Sequence, residues 1–479
     1  MKQFKIQLAI LTASTLLMRG AAVLFSGYLN RKIGPVGVGT YSLLMNVYGL
    51  FITFSSFGVR LACTRLCTAQ SAVNKSPFGA SLACIKYAVC FGFLGGAVLY
   101  ISAAPIAKAA VSNVSFAPCL RLMSASLPFT AAASALGGYF VAQNRLPFLS
   151  FVSIGEQFLK IGLCVGLLES CGTVANGPAV PILVSAACEV VYFAVLFAAW
   201  LKNRRSDRLP PSFINPDEVW KTALPLGVSY CLRNGLFTLQ QLLIPRALRT
   251  HGASADQTIG VYGTIHGLVF PALMLPIAPI DSAGELLIAK LTRLQAQNKR
   301  EQITDTASQA LNTTLSYSLM FASIFARYGE ETGRYAYASD GLGKLFLVLC
   351  PLVVLYYIDE IADSMLKGLG CQLASMRYSM TDSLLGIILI LLLLPRYGIY
   401  GYVAALYITK LLNLWLSLNK LLLASGATVC DRHTFWLCLP AVVLLLPRKL
   451  PFVPSAVLFT GMYVLAARAV FCRIKKAKA

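Results

Sequence analysis

Uninterrupted apolar runs constrain this chain more than any other feature of its sequence. Residues 6–29, IQLAILTASTLLMRGAAVLFSGYL, carry one formal charge, Arg19, and a helix needs about 20 mostly apolar residues to cross a bilayer. Inside hydrocarbon every backbone N–H and C=O must bond internally, so such a run is predicted to be a helix. Gly34, Pro35, Gly37 and Gly39 punctuate the chain after it, and a second run over 41–57 leads to Arg60 and Arg65. The opening is therefore expected to be a membrane hairpin with a cation near the middle of its first arm. An arginine at that depth costs roughly 2.5 to 3.5 kcal/mol, and such residues usually face a bundle interior or a wet cavity.

Similar runs recur near 84–103, 118–142, 149–168 and 180–201. After the basic, proline-containing stretch KNRRSDRLPPS they continue near 222–245, 261–281, 308–327, 343–363, 378–395 and 399–423, with two more near 434–447 and 452–472. The predicted fold is an all-α polytopic membrane protein with about 14 transmembrane helices. It divides into an N-lobe (1–201), a cytoplasmic basic linker (202–221), a C-lobe (222–424), and a last pair of helices with a basic tail (425–479). Composition agrees: 57% of residues are hydrophobic and 13% charged, against about 25% charged in soluble domains. Although residues 1–5 carry Lys2 and Lys5 like a signal peptide, the first run is too long and lacks a small-residue cleavage site, so it is expected to be retained.

The net charge of +22 is spread between apolar runs instead of forming one patch, which argues against a nucleic-acid partner. Segments on the side of the N-terminus hold most of the Lys and Arg, including Arg145, Arg204, Arg205, Lys290, Arg293, Lys299, Lys475 and Lys476. Both termini are accordingly expected in the cytoplasm. Most of the 14 cysteines fall within apolar runs and read as small hydrophobes. Cys63 and Cys67 share a helix face, yet no further ligand completes a set, so neither metal nor cofactor is expected. Gly92 and Gly96 have the spacing that lets helices approach closely. His266 is expected to pack at a helix interface, and RYGEETGRYAYASD (327–340) reads as a solvated outer loop. With no catalytic triad, paired carboxylates or phosphate-binding loop in context, the chain is not expected to be an enzyme.

The two halves echo each other. GVGTYSLL (37–44) is answered by TIGVYGTI (258–265), Arg19 by Arg233, and Glu156 by Asp382. Such echoes predict two pseudo-symmetric six-helix lobes, followed by two C-terminal helices.

The opening LTASTLLMRGAAVLFSGYLNRKIGPVGVGTYSLLMNVYGLFITFSSFGVRLACTRL resembles the stage V sporulation protein B type of flippase, within the multidrug/oligosaccharidyl-lipid/polysaccharide exporter superfamily. GYFVAQNRLPFLSFVSIGEQFLKI (138–161), LIPRALRTHGASADQTIGVYG (243–263), LKGLGCQLASMRYS (366–379) and LLPRYGIYGYVAALYITKLLNLWLSL (393–418) resemble further pieces. The resemblance implies alternating access around a central cavity in the bacterial cytoplasmic (inner) membrane. Its cargo would be an undecaprenyl-diphosphate-linked glycan, moved from inner to outer leaflet: a peptidoglycan precursor or another envelope polysaccharide unit, with a sporulation role in prospect. The sequence departs from its relatives at Lys367, Gln240 and Gln241. Two alternatives stay open, a multidrug cation antiporter of the same superfamily and a membrane glycan-transfer enzyme.

A sugar diphosphate on a lipid needs a wet, cationic groove, and arginine suits it because its planar fork bonds phosphate oxygens in pairs. Arg19, Arg60, Arg65 and Arg233 are the candidate diphosphate ligands, although Arg60 and Arg65 would equally suit headgroups at a helix end. Glu156 and Lys160, at i and i+4, are expected to form an ion pair that could gate the cavity. Asp382, by resemblance, and Asp359 and Asp363 are candidates for coupling to Na+ or H+. The expected partners are the lipid-linked glycan and membrane lipids, for a transporter working as a monomer. Replacing Arg19 by Ala or Glu is expected to abolish transport without loss of membrane insertion, whereas Lys should retain part of it; leaflet exchange measured on reconstituted variants checks this.

Overall fold

The computed structural model describes residues 2–72, 74–143, 145–170, 177–206, 210 and 216–427, and all regular structure among them is helical. The runs expected near 434–447 and 452–472, with the basic tail, lie outside the described residues. Among the described residues, seven helices are long and apolar enough to cross a membrane, or eight if one bent pair is a single span. Two of the seven are each broken at a glycine, so one continuous helix contains two of the expected runs.

The chain forms two compact units. The first takes residues 1–21 and 29–267. Its α1 (Lys2–Ser56) breaks at Gly34, whose φ of 70° only glycine adopts without strain, just before Pro35. α2 (Val59–Ala72) follows a turn in which Gly58 also has positive φ. α3 (Phe78–Val111) packs on α4 (Ala117–Ser124) and α5 (Leu127–Ala142), which are bent by 45° at the break between them. Small residues permit this contact: a Cβ on Gly92 would lie 2.5 Å from Pro128 Cα, and one on Gly96 would lie 2.9 Å from Ser124 O. α6 (Leu146–Ser170) and α7 (Ala179–Ser206) complete the first six expected runs. Trp200 of α7 is buried and donates to Ser81 Oγ at 3.0 Å, satisfying its N–H as a buried indole requires.

α8 (Pro216–Thr250) opens with Asp217 and Glu218 and ends with Arg249, each the favoured sign for its end of the helix dipole. Burial holds the Arg249 guanidinium below its ordinary pKa, aided by neighbouring Arg246. α9 (Ala255–Tyr262) starts with a reciprocal cap, Ser254 with Gln257. A π-helical stretch, Gly263–Val269, follows and carries His266 stacked 4.6 Å from the Tyr262 ring; it is a packed aromatic contact, as expected. Polar side chains stitch α8 and α9 to the second part of α1. Asn46 Nδ2 donates to Tyr262 Oη at 2.9 Å, Tyr262 Oη to Gln241 Oε1 at 3.0 Å, and Asn234 Nδ2 to Thr53 Oγ1 at 2.6 Å.

The second unit takes residues 22–28 and 268–479. α10 (Phe270–Leu273) and α11 (Ala278–Ala296) are separated by a 3-10 turn, Leu275–Ile277, that contains Pro276. α12 (Arg300–Tyr337) runs beyond the apolar segment, so 327–337, read from sequence as a loop, is helix that turns slightly at Tyr328. The reason is local: Tyr337 is buried, and Glu330 accepts the backbone N–H of Gly341 at 2.6 Å and Gly343 at 2.7 Å. These donors hold the Glu330 carboxyl below the usual glutamate value. α13 (Gly343–Gly368) leads to α14 (Gln372–Ser425), which reverses at Gly398 (φ 57°) after Pro395 and so contains both of the runs expected there.

Where α1 crosses α9, a Cβ on Gly39 would fall 2.2 Å from Ile259 O, and one on Gly263 would fall 2.2 Å from Pro35 O. Gly39→Ala or Gly263→Ala must therefore push two backbones apart, at a cost of about 1 to 3 kcal/mol. Gly49→Ala meets nothing within 4 Å and should stabilise its helix by roughly 0.5 to 1 kcal/mol. Thermal unfolding of the purified variants in detergent is expected to order them in this way.

Candidate functional site

Each unit buries one lysine against acids within its apolar helices. In the first unit Lys160 Nζ lies 3.2 Å from Glu156 Oε1, the two side chains being 16% and 17% exposed. The i, i+4 spacing on α6 makes this pair, as the sequence predicts. Glu189 of α7 and Tyr41 of α1 lie within electrostatic reach of the same ammonium. Glu189 is thus a member of the cluster. Nearby, Ser153 and Tyr192 share a hydrogen bond of 3.4 Å, and Tyr192 feels Arg60 as well as Glu156 and Glu189.

All four candidate arginines belong to this unit. Arg19 is half-buried, while Arg60, Arg65 and Arg233 are exposed. The backbone of Arg60 is fixed by close approach of α5: a Cβ on Gly138 would lie 2.3 Å from Arg60 O, and Thr64 Oγ1 bonds both Arg60 O and Gly138 O. Gly137 leaves room beside the guanidinium, its Cβ position being 3.8 Å from Arg60 Nε. Arg233 sits one residue before Asn234, whose bond to Thr53 holds that turn of α8 against α1. No ion pair joins Arg60, Arg65 or Arg233 to an acid among the described residues. Arg60 and Arg65 lie on α2 and Arg233 on α8.

In the second unit Lys410 Nζ lies 2.7 Å from Asp382 Oδ2, with 16% and 15% of the two side chains exposed. The same ammonium stands 5.0 Å from the centre of the Tyr356 ring, a cation–π contact. Asn413 Nδ2 donates to Asp359 Oδ2 at 2.6 Å. Asp363, one turn on from Asp359, pairs with Lys367 at 2.5 Å and bonds Ser375. Lys410, Asn413 and Tyr356 were not picked out from sequence. The sequence signal for the first is partial: Lys410 lies in the interior of one apolar run, which also holds Lys420 near its end, and Asp382 is a lone acid in the preceding run. Among the described residues, no group of three or more His, Cys, Asp or Glu side chains is placed to hold a metal ion.

A family profile described as "Polysaccharide biosynthesis protein" matches residues 7–273. Stage V sporulation protein B of Bacillus subtilis (strain 168) is 23% identical over 412 residues, covering 82% of this chain and 79% of that protein. Among solved structures, a lipid II flippase, MurJ, in an inward closed conformation superposes with TM-score 0.75 at 14% identity, covering 98% of this chain and 99% of that one. A multidrug resistance MATE family transporter of the MOP superfamily, inward-facing, gives TM-score 0.69 at 13% identity, covering 87% and 99%. At such identities the superpositions establish a shared fold.

The Glu156–Lys160 pair generates a stability prediction. Lys160→Met strands buried carboxylates and should destabilise the protein by about 3 kcal/mol, whereas Glu156→Gln/Lys160→Met should recover at least about half of that loss. A double-mutant cycle of unfolding midpoints measures the coupling.

Proposed function

This chain belongs to the polysaccharide biosynthesis protein family, and from that premise we propose that it is a flippase for undecaprenyl-diphosphate-linked glycans in the bacterial cytoplasmic membrane. The observation that carries this reading is the contrast between two kinds of cation, one buried and one exposed. Lys160 and Lys410 are neutralised by acids at contact distance. Arg60, Arg65 and Arg233 are exposed on helices of a membrane protein, with no acid paired to them among the described residues. Guanidinium groups left available are suited to a ligand that brings its own negative charge, and a diphosphate does. Arg19, half-buried in the first arm of α1, would join them.

In this mechanism lobes 1–201 and 222–424, joined by the basic linker, rock about a central cavity open first to the cytoplasm and then to the outside. Both termini face the cytoplasm. The diphosphate rests on arginines while the polyprenyl tail stays in lipid. Glu156 and Lys160 gate the cavity by exchanging partners as the head group enters. The transporter acts as a monomer among membrane lipids, and no bond is made or broken in the cargo. Support comes from the relatives, whose names describe a sporulation protein and a lipid II flippase.

One observation favours a second reading: the fold is shared with a multidrug transporter, and the second unit buries acids in its helices. A cation antiporter, however, requires acids where this chain presents arginines. Proteoliposomes loaded with fluorescent lipid II, or with a simpler undecaprenyl-diphosphate sugar, decide between them. Leaflet exchange is expected to fall at least about tenfold in Arg60→Ala or Arg233→Ala, the loss of one charge-assisted phosphate contact. Uptake of an organic cation against a proton or sodium gradient, with neither lipid moving, would replace this reading by the antiporter.

A further inference from the structure

The resemblance implies a coupling cation at the acids of the second unit, and the side chains found there can be tested for fit. A sodium ion needs several oxygen ligands and no competing positive charge. Asp382 already holds the Lys410 ammonium at 2.7 Å. The ring face of Tyr356, 5.0 Å from Nζ, covers that ammonium on another side, and Asp359 is close enough to feel its charge. Asn413 stands at i+3 from Lys410, so ammonium and amide leave the same face of α14; the amide fixes Asp359 at 2.6 Å. A second monovalent cation placed here would sit beside a fixed positive charge in a low-dielectric interior, where like charges repel strongly. The site does not fit a free ion while Lys410 is in it.

A second observation concerns what the lysine leaves unused. Asp359 Oδ1, Asp382 Oδ1 and Asn413 Oδ1 are all buried with no hydrogen-bond partner among the described residues. Buried acceptors in that condition are uncommon. They are oxygens that a small cation would coordinate if the ammonium were gone.

We propose that Lys410 is a tethered cation that takes the position of a free coupling ion between Asp382, Asp359 and the Tyr356 ring. The second unit then needs no dissolved sodium, and removal of the ammonium converts it into a site for a small monovalent cation. This deepens the coupling role considered for Asp359 and Asp382, and it is read out on stability, so that it stands or falls independently of whether the cargo is a lipid-linked glycan. Of the other charged groups near Asp359, Asp363 is paired with Lys367, and Glu360 feels Asp281, Asp363 and Lys367 as well as Asp359; these add acids and one paired lysine, so Lys410 is the cation that compensates Asp382 and Asp359.

The test uses the full-length protein in detergent, titrated with NaCl against N-methylglucamine chloride at constant ionic strength, with the thermal midpoint as readout. Wild type is expected to give a flat response. Lys410→Ala is expected to lose roughly 5 °C or more, since a buried carboxylate loses its partner, and to regain at least about half of it saturably with Na+ or with ethylammonium. Ethylammonium fits the space left by the truncated side chain and restores the missing charge. Lys410→Gln, which keeps the bulk, is expected to respond to Na+ but not to ethylammonium. Lys410→Ala/Asp382→Asn, having lost the acid as well, should respond to neither. A saturable Na+ response in wild type overturns the proposal whether or not any variant folds. A flat response in folded Lys410→Ala overturns it too. Should Lys410→Ala be recovered folded only when Na+ or ethylammonium is present during extraction, the proposal is supported; failure of both to recover it counts against.

Discussion

Charge in hydrocarbon is the constraint on which the rest of this structure depends. An ionised side chain between apolar helices loses its water, and the loss is tolerable only where an opposite charge, a ring face or a wet cavity replaces it. The two buried lysines use two routes to the same end. Lys160 finds Glu156 one turn away on its own helix, while Lys410 finds Asp382 across the reversal of α14. The first route is local and forms as soon as α6 forms. The second exists only after two helical segments have packed, so it reports on tertiary structure and also helps specify it.

Backbone contacts do the complementary work. With no hydrophobic gain from burying one apolar helix against another inside lipid, association rests on close packing and interhelical hydrogen bonds. The crossing of α1 over α9 at Gly39 and Gly263, and of α3 over α5 at Gly92, brings backbones near enough for dispersion to act over many atoms. The Asn46–Tyr262–Gln241 chain adds directional bonds at the first of these crossings. Each member of that chain is satisfied by another, which is what a buried polar network needs in order to hold its helices in place. The irregular geometry is concentrated here as well, since the break at Gly34 and the π-helical stretch after Tyr262 flank the same crossing.

How much of this was legible in the sequence depends on the range of the interaction. The apolar runs through residue 423 fall on helices because hydropathy is a property of each segment. The turns at Gly34 and Gly398 follow from residues that tolerate positive φ next to proline. Glu156 with Lys160 was readable because both lie on one helix, and Gly92 with Gly96 because a small-residue spacing has one use in a membrane. The continuation of α12 through Tyr337 was not, since its stabilising contacts come from Gly341 and Gly343 beyond the turn. Nor was Lys410. Its partner lies 28 residues away in sequence, and nothing local distinguishes an acid that will meet a lysine from one that awaits an ion.

That last distinction bears on how such a fold changes its function. A helix bundle with a lone acid in each of several apolar runs can be neutralised by dissolved ions or by a lysine from the next helix. The two solutions differ by a single side chain. A free ion exchanges with solvent and can link a gradient to a conformational change, whereas a tethered ammonium cannot leave and contributes only position and charge. In this chain Glu156 and Asp382 each have a lysine at contact distance, whereas Asp359 is held by the Asn413 amide. On the proposed flippase reading, driving force would come from the cargo's own charge acting on the arginines, while the lysines keep the helices around Glu156 and Asp382 close to neutral.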